Sequence, residues 1–220
     1  MTELRERYQD AVSLWLRLKD EHPTLNAPLL TNPRDEYFNA PTRLMIVGQQ
    51  TGGWGEETNL DQTVESISEY LLQGYRDFDL GARYRHTPFW RAAFQIARAL
   101  NPTHSRPEFI WTNLVKIADA GQRPRIQVED EFARVELLQA EIRAFEPDVV
   151  VFFTGPEYDA RLLTTLAGCR IETVSSTVAS VKHSALPPRA FRSNHPNSYQ
   201  LRRQWSRVDE LVERCSRQGD

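Results

Sequence analysis

The chain has 220 residues, 40% of them hydrophobic and 10% aromatic, with a formal net charge of −3. That is enough for one domain with a full core, and it is a globular composition rather than a disordered or fibrous one. The two cysteines, Cys169 and Cys215, rule out a disulfide framework or a four-cysteine metal centre; no metal or cofactor is expected.

In chain order, Glu3 to Lys19 sets Leu4, Ala11, Leu14, Leu16 and Leu18 among charges, which predicts an amphipathic helix. This charged start has no signal-peptide core, and no apolar run reaches about 18 residues, so the expected location is the cytoplasm, with no membrane span. Asn26 to Pro41, rich in Pro, Asn and charge, reads as a loop. Leu44-Met45-Ile46-Val47 is a buried strand, turned sharply by Gly48 into a glycine-rich loop, Gln49-Gln50-Thr51-Gly52-Gly53-Trp54-Gly55. Leu60 to Leu72 reads as a helix and Gly74 to His86 as irregular. Thr87 caps a helix opened by Pro88, with Phe89, Ala93, Ile96, Ala97 and Leu100 on its apolar face. Phe109 to Leu114 reads as a second strand ending near Asn113, Glu129 to Phe145 as a helix, and Val149 to Phe153 as the plainest buried strand. A helix over Glu157 to Leu166 follows, then strands near Ile171–Val174 and Val178–Val181. Ala190-Phe191-Arg192 leads into Ser193-Asn194-His195-Pro196-Asn197, and a last helix runs from Ser198 to Cys215.

Alternation of this kind predicts one α/β domain over residues 1–220: a three-layer α/β/α arrangement around a mostly parallel sheet. Residues 1–42 form an N-terminal helix and loop, and 43–215 the core. Ligands in such folds bind at the carboxyl ends of the strands, where three polar segments fall: Gly48–Gly55, Thr112–Lys116 and Ser193–Ser198. Gly52, Gly53 and Gly55 allow close backbone approach, but there is no phosphate-loop or dinucleotide fingerprint. Asn113 offers donors and an acceptor suited to a pyrimidine edge, and His195 can donate to a developing anion. Each has a plainer reading, as a geometric turn, a turn-capping Asn and a structural His. Thr173 to Val208 contains no Asp or Glu but holds Lys182, Arg189, Arg192, Arg202, Arg203 and Arg207. A basic third on an acidic body suits a phosphate-facing surface.

Gly-Gln-x after the first strand, Asn113 at the end of an apolar strand and His195-Pro196-Asn197 near the C-terminus together resemble the uracil-DNA glycosylase superfamily. Order and spacing match over roughly residues 43–215, with identity confined to the short motifs. The resemblance implies a glycosylase-like fold and a monomer that flips a nucleotide out of DNA. In that reading Gln50 and His195 are catalytic: Gln50 holds the attacking water and His195 stabilises the departing base. Gly48, Gln49, Gly52, Phe89 and Asn113 bind the base, Phe89 by stacking. Arg189, Arg192, Ser193 and Asn197 contact the DNA backbone, and Leu186-Pro187-Pro188 is a candidate wedge.

Two departures from the best-known branch shape the expectation. That branch has Gly-Gln-Asp-Pro-Tyr where this chain has Gly48-Gln49-Gln50-Thr51-Gly52. Gln50 carries no charge and cannot act as a base; Glu56, Glu57 and Asp61 are nearby carboxylates that a folded-back loop would bring in. Gly52 stands where a Tyr excludes a 5-substituent, favouring a modified pyrimidine over plain uracil. The variant looks like a divergent bacterial branch, of which some relatives remove modified cytosines from phage DNA, such as glucosylated hydroxymethylcytosine. Three other readings stay open: a uracil-repair glycosylase, a non-catalytic DNA-binding module on the same fold, and an unrelated α/β enzyme acting on a small nucleotide or sugar.

Overall fold

The structure, a computed structural model, describes residues 2–55, 58–59, 61–104 and 108–217. A long amphipathic helix, α1 (Thr2–Glu21), comes first, with Leu4, Tyr8, Ala11, Val12, Trp15 and Leu18 buried at three- and four-residue spacing. The predicted loop after it contains one short helix, α2 (Asp35–Phe38). Then follow β1 (Leu44–Gln50), α3 (Val64–Asp77), α4 (Pro88–Leu100), β2 (Ile110–Val115), α5 (Ile126–Ala133), α6 (Leu137–Phe145), β3 (Val149–Phe152), α7 (Asp159–Thr165), β4 (Arg170–Thr173), β5 (Val178–Lys182), β6 (Arg189–Ser193), α8 (Pro196–Leu201) and α9 (Ser206–Ser216).

The strands form one mixed sheet in the order β2-β1-β3-β6-β5-β4. β2, β1, β3 and β6 are mutually parallel, with Met45 opposite Ile110 and Val150, and Val151 opposite Phe191. β5 and β4 add antiparallel strands at one edge, because a tight turn rather than a helix joins them. Both faces are covered, giving three layers. Met45, Val47, Val150 and Phe152 pack against α1, α3, α5, α6 and α7. Leu44, Ile46, Val149, Val151 and Phe153 pack against α4, α8 and α9. Strands buried on both sides explain the continuous apolar runs.

Several boundaries differ from expectation. Gly48 does not turn the chain out of the sheet: it lies within β1, paired with Asn113 of β2. Asn113 is likewise inside its strand, which continues to Val115. The helix expected over Glu129–Phe145 is two helices, α5 and α6, separated where Glu136 takes φ 57°. The final helix is divided into α8 and α9, with Arg203 at φ 56° between them. The segment expected as a helix from Glu157 opens with a single tight turn, Pro156–Tyr158, before α7. Thr87 does occupy the cap position of α4, but its side chain makes no capping hydrogen bond; Pro88 at the first turn, which needs no donor there, does the local work.

Candidate active site

The parallel strands place their carboxyl ends on one side of the sheet, where the segments after β1, β3 and β6 and the end of β2 converge. At the centre is Gly48. A Cβ built on it would fall 2.2 Å from Asn113 Oδ1 and 3.4 Å from Phe89 Cε2. Glycine is required here because the Asn113 amide and the Phe89 ring both lie against the bare backbone, not because of a special dihedral. Gly52 is different: it is exposed, and the nearest atom to a Cβ there is Gly121 O at 3.9 Å, so it tolerates a side chain.

Asn113 is buried, and its Nδ2 has no hydrogen-bond partner among the described residues. A buried amide donor left unpaired carries a desolvation cost that a ligand acceptor would remove. Its strand is held from below. Lys116 Nζ donates to Thr112 Oγ1 and to Glu141 Oε2, and Glu141 also accepts from Thr31 Oγ1 at 2.7 Å, Thr112 Oγ1 at 3.0 Å and Tyr8 Oη at 3.3 Å. Burial pulls the Lys116 ammonium below its ordinary range, and the Glu141 carboxylate opposes that.

Phe89 stacks on the His195 ring, centroids 5.6 Å apart at 24°, and meets Phe153 edge-on at 5.7 Å. His195 caps α8: its Nδ1 accepts from the Asn197 backbone N–H at 3.3 Å. Accepting at Nδ1 puts the ring proton on Nε2, which is then a donor. Burial lowers the His195 pKa below the ordinary value, opposed by the charge of Glu157, so the ring is neutral at neutral pH.

Gln49 and Gln50 are both held by their amides. Gln49 Nε2 donates to Thr154 O at 2.9 Å and to Glu157 Oε1 at 3.2 Å. Gln50 Oε1 accepts from the Tyr158 hydroxyl. Burial raises the Tyr158 pKa, so the phenol stays protonated and donating. Arg123 lies 4.5 Å from its ring centroid.

The basic segment divides. Asn197 is exposed beside His195. Arg192 is committed to Asp159, through Nε at 3.0 Å and Nη2 at 3.1 Å. Ser193 is buried and shares a 2.7 Å hydrogen bond with the Tyr199 hydroxyl. Arg189 opens β6 at the amino end of the sheet, away from the site, and donates to Cys215 O at 3.0 Å. Leu186, Pro187 and Pro188 line a cleft with Arg43 and Asp148 at that same far end. A phosphate-contacting role beside His195 is therefore geometrically closed to Arg189, and the wedge role to Leu186–Pro188.

Two features of the site escaped the sequence reading. Glu157, on the segment after β3, brings a carboxylate against Gln49; Glu56 and Glu57 lie outside the described residues, and Asp61 is exposed with its backbone N–H bonded to Asn59 Oδ1. The position after the plainest strand was the available signal for Glu157. Leu201, at the end of the helix that His195 caps, is 85% exposed, and exposed Arg202 and Arg203 follow it. An apolar side chain that protrudes this far next to cations makes little packing contact within the chain.

The thiols do not contribute. Burial pushes Cys215 up to about 12 and also raises Cys169, which disfavours a thiolate nucleophile. Among the described residues no group of three or more His, Cys, Asp or Glu could hold a metal, and no helix is long and apolar enough to cross a membrane. No family model matches the chain, and no curated protein matches it.

Proposed function

We propose that this chain is a DNA glycosylase that hydrolyses the N-glycosidic bond of a flipped-out pyrimidine, favouring a base modified at its 5-position over plain uracil. The observation that carries the reading is the meeting of Asn113, Phe89 and His195 over Gly48. A flat ring seated there would stack on Phe89, meet the unpaired Asn113 amide along its edge and face the Nε2–H of His195.

The chemistry follows from the polarity of the groups. As the bond from the sugar anomeric carbon to the base nitrogen breaks, its electron pair moves onto the base. Asn113 Nδ2 and His195 Nε2 are both donors, so they stabilise that developing anion. A neutral histidine suits this task, since it donates without first losing a proton to the base. The sugar is left electron-poor and is attacked by water, whose proton is released. Gln50 positions that water but cannot take its proton. Glu157 supplies the negative charge that Gln50 lacks, favouring the cationic sugar and accepting the proton. The uncrowded position of Gly52 supports a substrate with a 5-substituent, such as the glucosyl-hydroxymethyl group of modified phage cytosine; a role in anti-phage defence, in the cytoplasm and as a monomer, belongs to the same proposal. Leu201 fills the gap left in the base stack, with Arg202, Arg203 and Asn197 on the backbone.

The test is incubation with DNA carrying uracil, hydroxymethylcytosine or glucosylated hydroxymethylcytosine, followed by cleavage at abasic sites. Abasic product greatest on the glucosylated base and about 100-fold lower in His195→Ala supports the proposal. Product from none of the three overturns it, and DNA binding that survives both Gln50→Ala and His195→Ala without base release favours a non-catalytic binding module.

A further inference from the structure

We propose that a second cavity, beside the site, is a stacking subsite for an unpaired nucleobase flanking the target on the same strand. The inference rests on the DNA reading above. The cavity has a volume of about 560 Å³ and lies between Trp54, α3 and the segment from Phe78 to Tyr84. Its walls are aromatic: Trp54 meets Phe78 edge-on at 5.7 Å, and Phe78 lies 5.9 Å from Tyr84 at 30°. Tyr84 and Tyr70, both on the lining, remain 50% and 48% exposed. Aromatic rings that line an open cavity without being covered present stacking faces, and base–aromatic stacking accepts any base.

Gly74 is part of the lining. It sits inside α3, where glycine is disfavoured relative to alanine. A Cβ there would meet nothing within 4 Å, so no neighbour demands glycine. A large side chain here therefore has room to extend and adds bulk at the cavity. At the rim, Asp77 accepts from Gln73 at 2.8 Å through one carboxylate oxygen, leaving acceptor capacity for an amino group on a base edge. Arg83 is exposed on the same lining, within reach of a backbone phosphate.

Continuity with the candidate site selects a nucleobase as the occupant. Trp54 follows closely on Gln50 in the chain. Ring contacts run from Phe78 to Trp90 at 5.6 Å, from Trp90 to Phe89 at 5.2 Å and from Phe89 to His195 at 5.6 Å. Packed rings, with Trp90 buried among them, thus connect the cavity wall to the proposed base pocket, and Trp54, on the loop that leaves Gln50, lines the cavity itself, so the strand that carries the target is the occupant within reach. Because the flanking base must be unstacked to enter, the subsite predicts a preference for single-stranded or locally melted DNA.

The test uses fluorescence anisotropy with two labelled single strands of equal length: oligothymidylate, and a strand made wholly of abasic tetrahydrofuran units. The wild type should bind oligothymidylate at least about tenfold more tightly, as expected from stacking of one or more bases. Gly74→Leu, which adds bulk at the cavity, and Tyr84→Ala, which removes one wall, should each weaken oligothymidylate binding by about tenfold and leave the abasic strand unaffected. Gly74→Leu replaces a helix-disfavouring residue where space is free, so its unfolding transition should match or exceed that of the wild type. Variants that bind oligothymidylate as the wild type does, or a wild type with no preference for bases, would overturn the subsite while leaving DNA contact intact. A wild type that binds neither strand would overturn the DNA reading together with it.

Discussion

Adding one methyl group at Gly48 should disable the site, whereas the same change four residues on should not. In Gly48→Ala the new Cβ would lie 2.2 Å from Asn113 Oδ1, a separation that real Cβ atoms do not adopt. The amide must retreat by most of an ångström, and it is buried, so it has little room to do so. Overpacking of this kind costs about 1–3 kcal/mol of stability. Displacing a substrate-positioning group by about 1 Å costs on the order of 100-fold in rate. Gly52→Ala provides the control from the same motif, since its Cβ would approach nothing closer than 3.9 Å. Single-turnover base release, compared with the urea unfolding of both variants, separates the two effects. Gly48→Ala with a rate within a few-fold of the wild type, or Gly52→Ala equally damaged, would refute the placement of Asn113 over Gly48.

Other expectations follow from the same geometry. Glu157→Gln should lower the rate of base release by about tenfold or more, on the scale of lost acid–base assistance, with DNA affinity unchanged in anisotropy; an unaffected rate would remove Glu157 from the chemistry. Because burial depresses the His195 pKa, the neutral ring is the active form: the rate should hold level above about pH 6.5 and fall only on the acid side, below the ordinary histidine range. A rate that instead rises on acidification would mean that the imidazolium is the donor. Lys116→Met leaves Glu141 as a buried carboxylate with only hydroxyl partners. It should lose about 3–5 kcal/mol in urea unfolding, and adding Glu141→Gln should recover part of that; a loss under about 1 kcal/mol would contradict the pairing. Leu201→Ala should slow base release from duplex DNA much more than from a single strand, which a purely structural leucine would not do.

The parts of the fold legible in the sequence were those set by burial alone. Leu44–Val47 and Val149–Phe153 stand between helical layers, so their strands needed no pattern beyond continuous apolarity. β6 was harder, because Arg189 and Arg192 interrupt it; each side chain is satisfied by a partner remote in sequence, Cys215 O for one and Asp159 for the other. The breaks at Glu136 and Arg203 lack the Gly or Asn that normally marks a left-handed residue, so the sequence carried no signal for them. For the site, Gly48, Asn113, Phe89 and His195 were identifiable by position, but why Gly48 must be glycine was not, since that depends on the cross-strand register with Asn113. The basic segment misled for a related reason: composition does not say at which end of a strand a cation falls, and Arg189 and Ser193 sit at opposite ends of one strand.

Mass spectrometry of the small molecules released from phage DNA tests the central claim most directly, with glucosylated hydroxymethylcytosine DNA set beside its unmodified counterpart and wild type beside His195→Ala. The account predicts that the wild type frees the modified pyrimidine as an intact base, leaving abasic sites in equal amount, and that His195→Ala frees about 100-fold less. Release of no base from either DNA, or release that His195→Ala leaves unchanged, would contradict it.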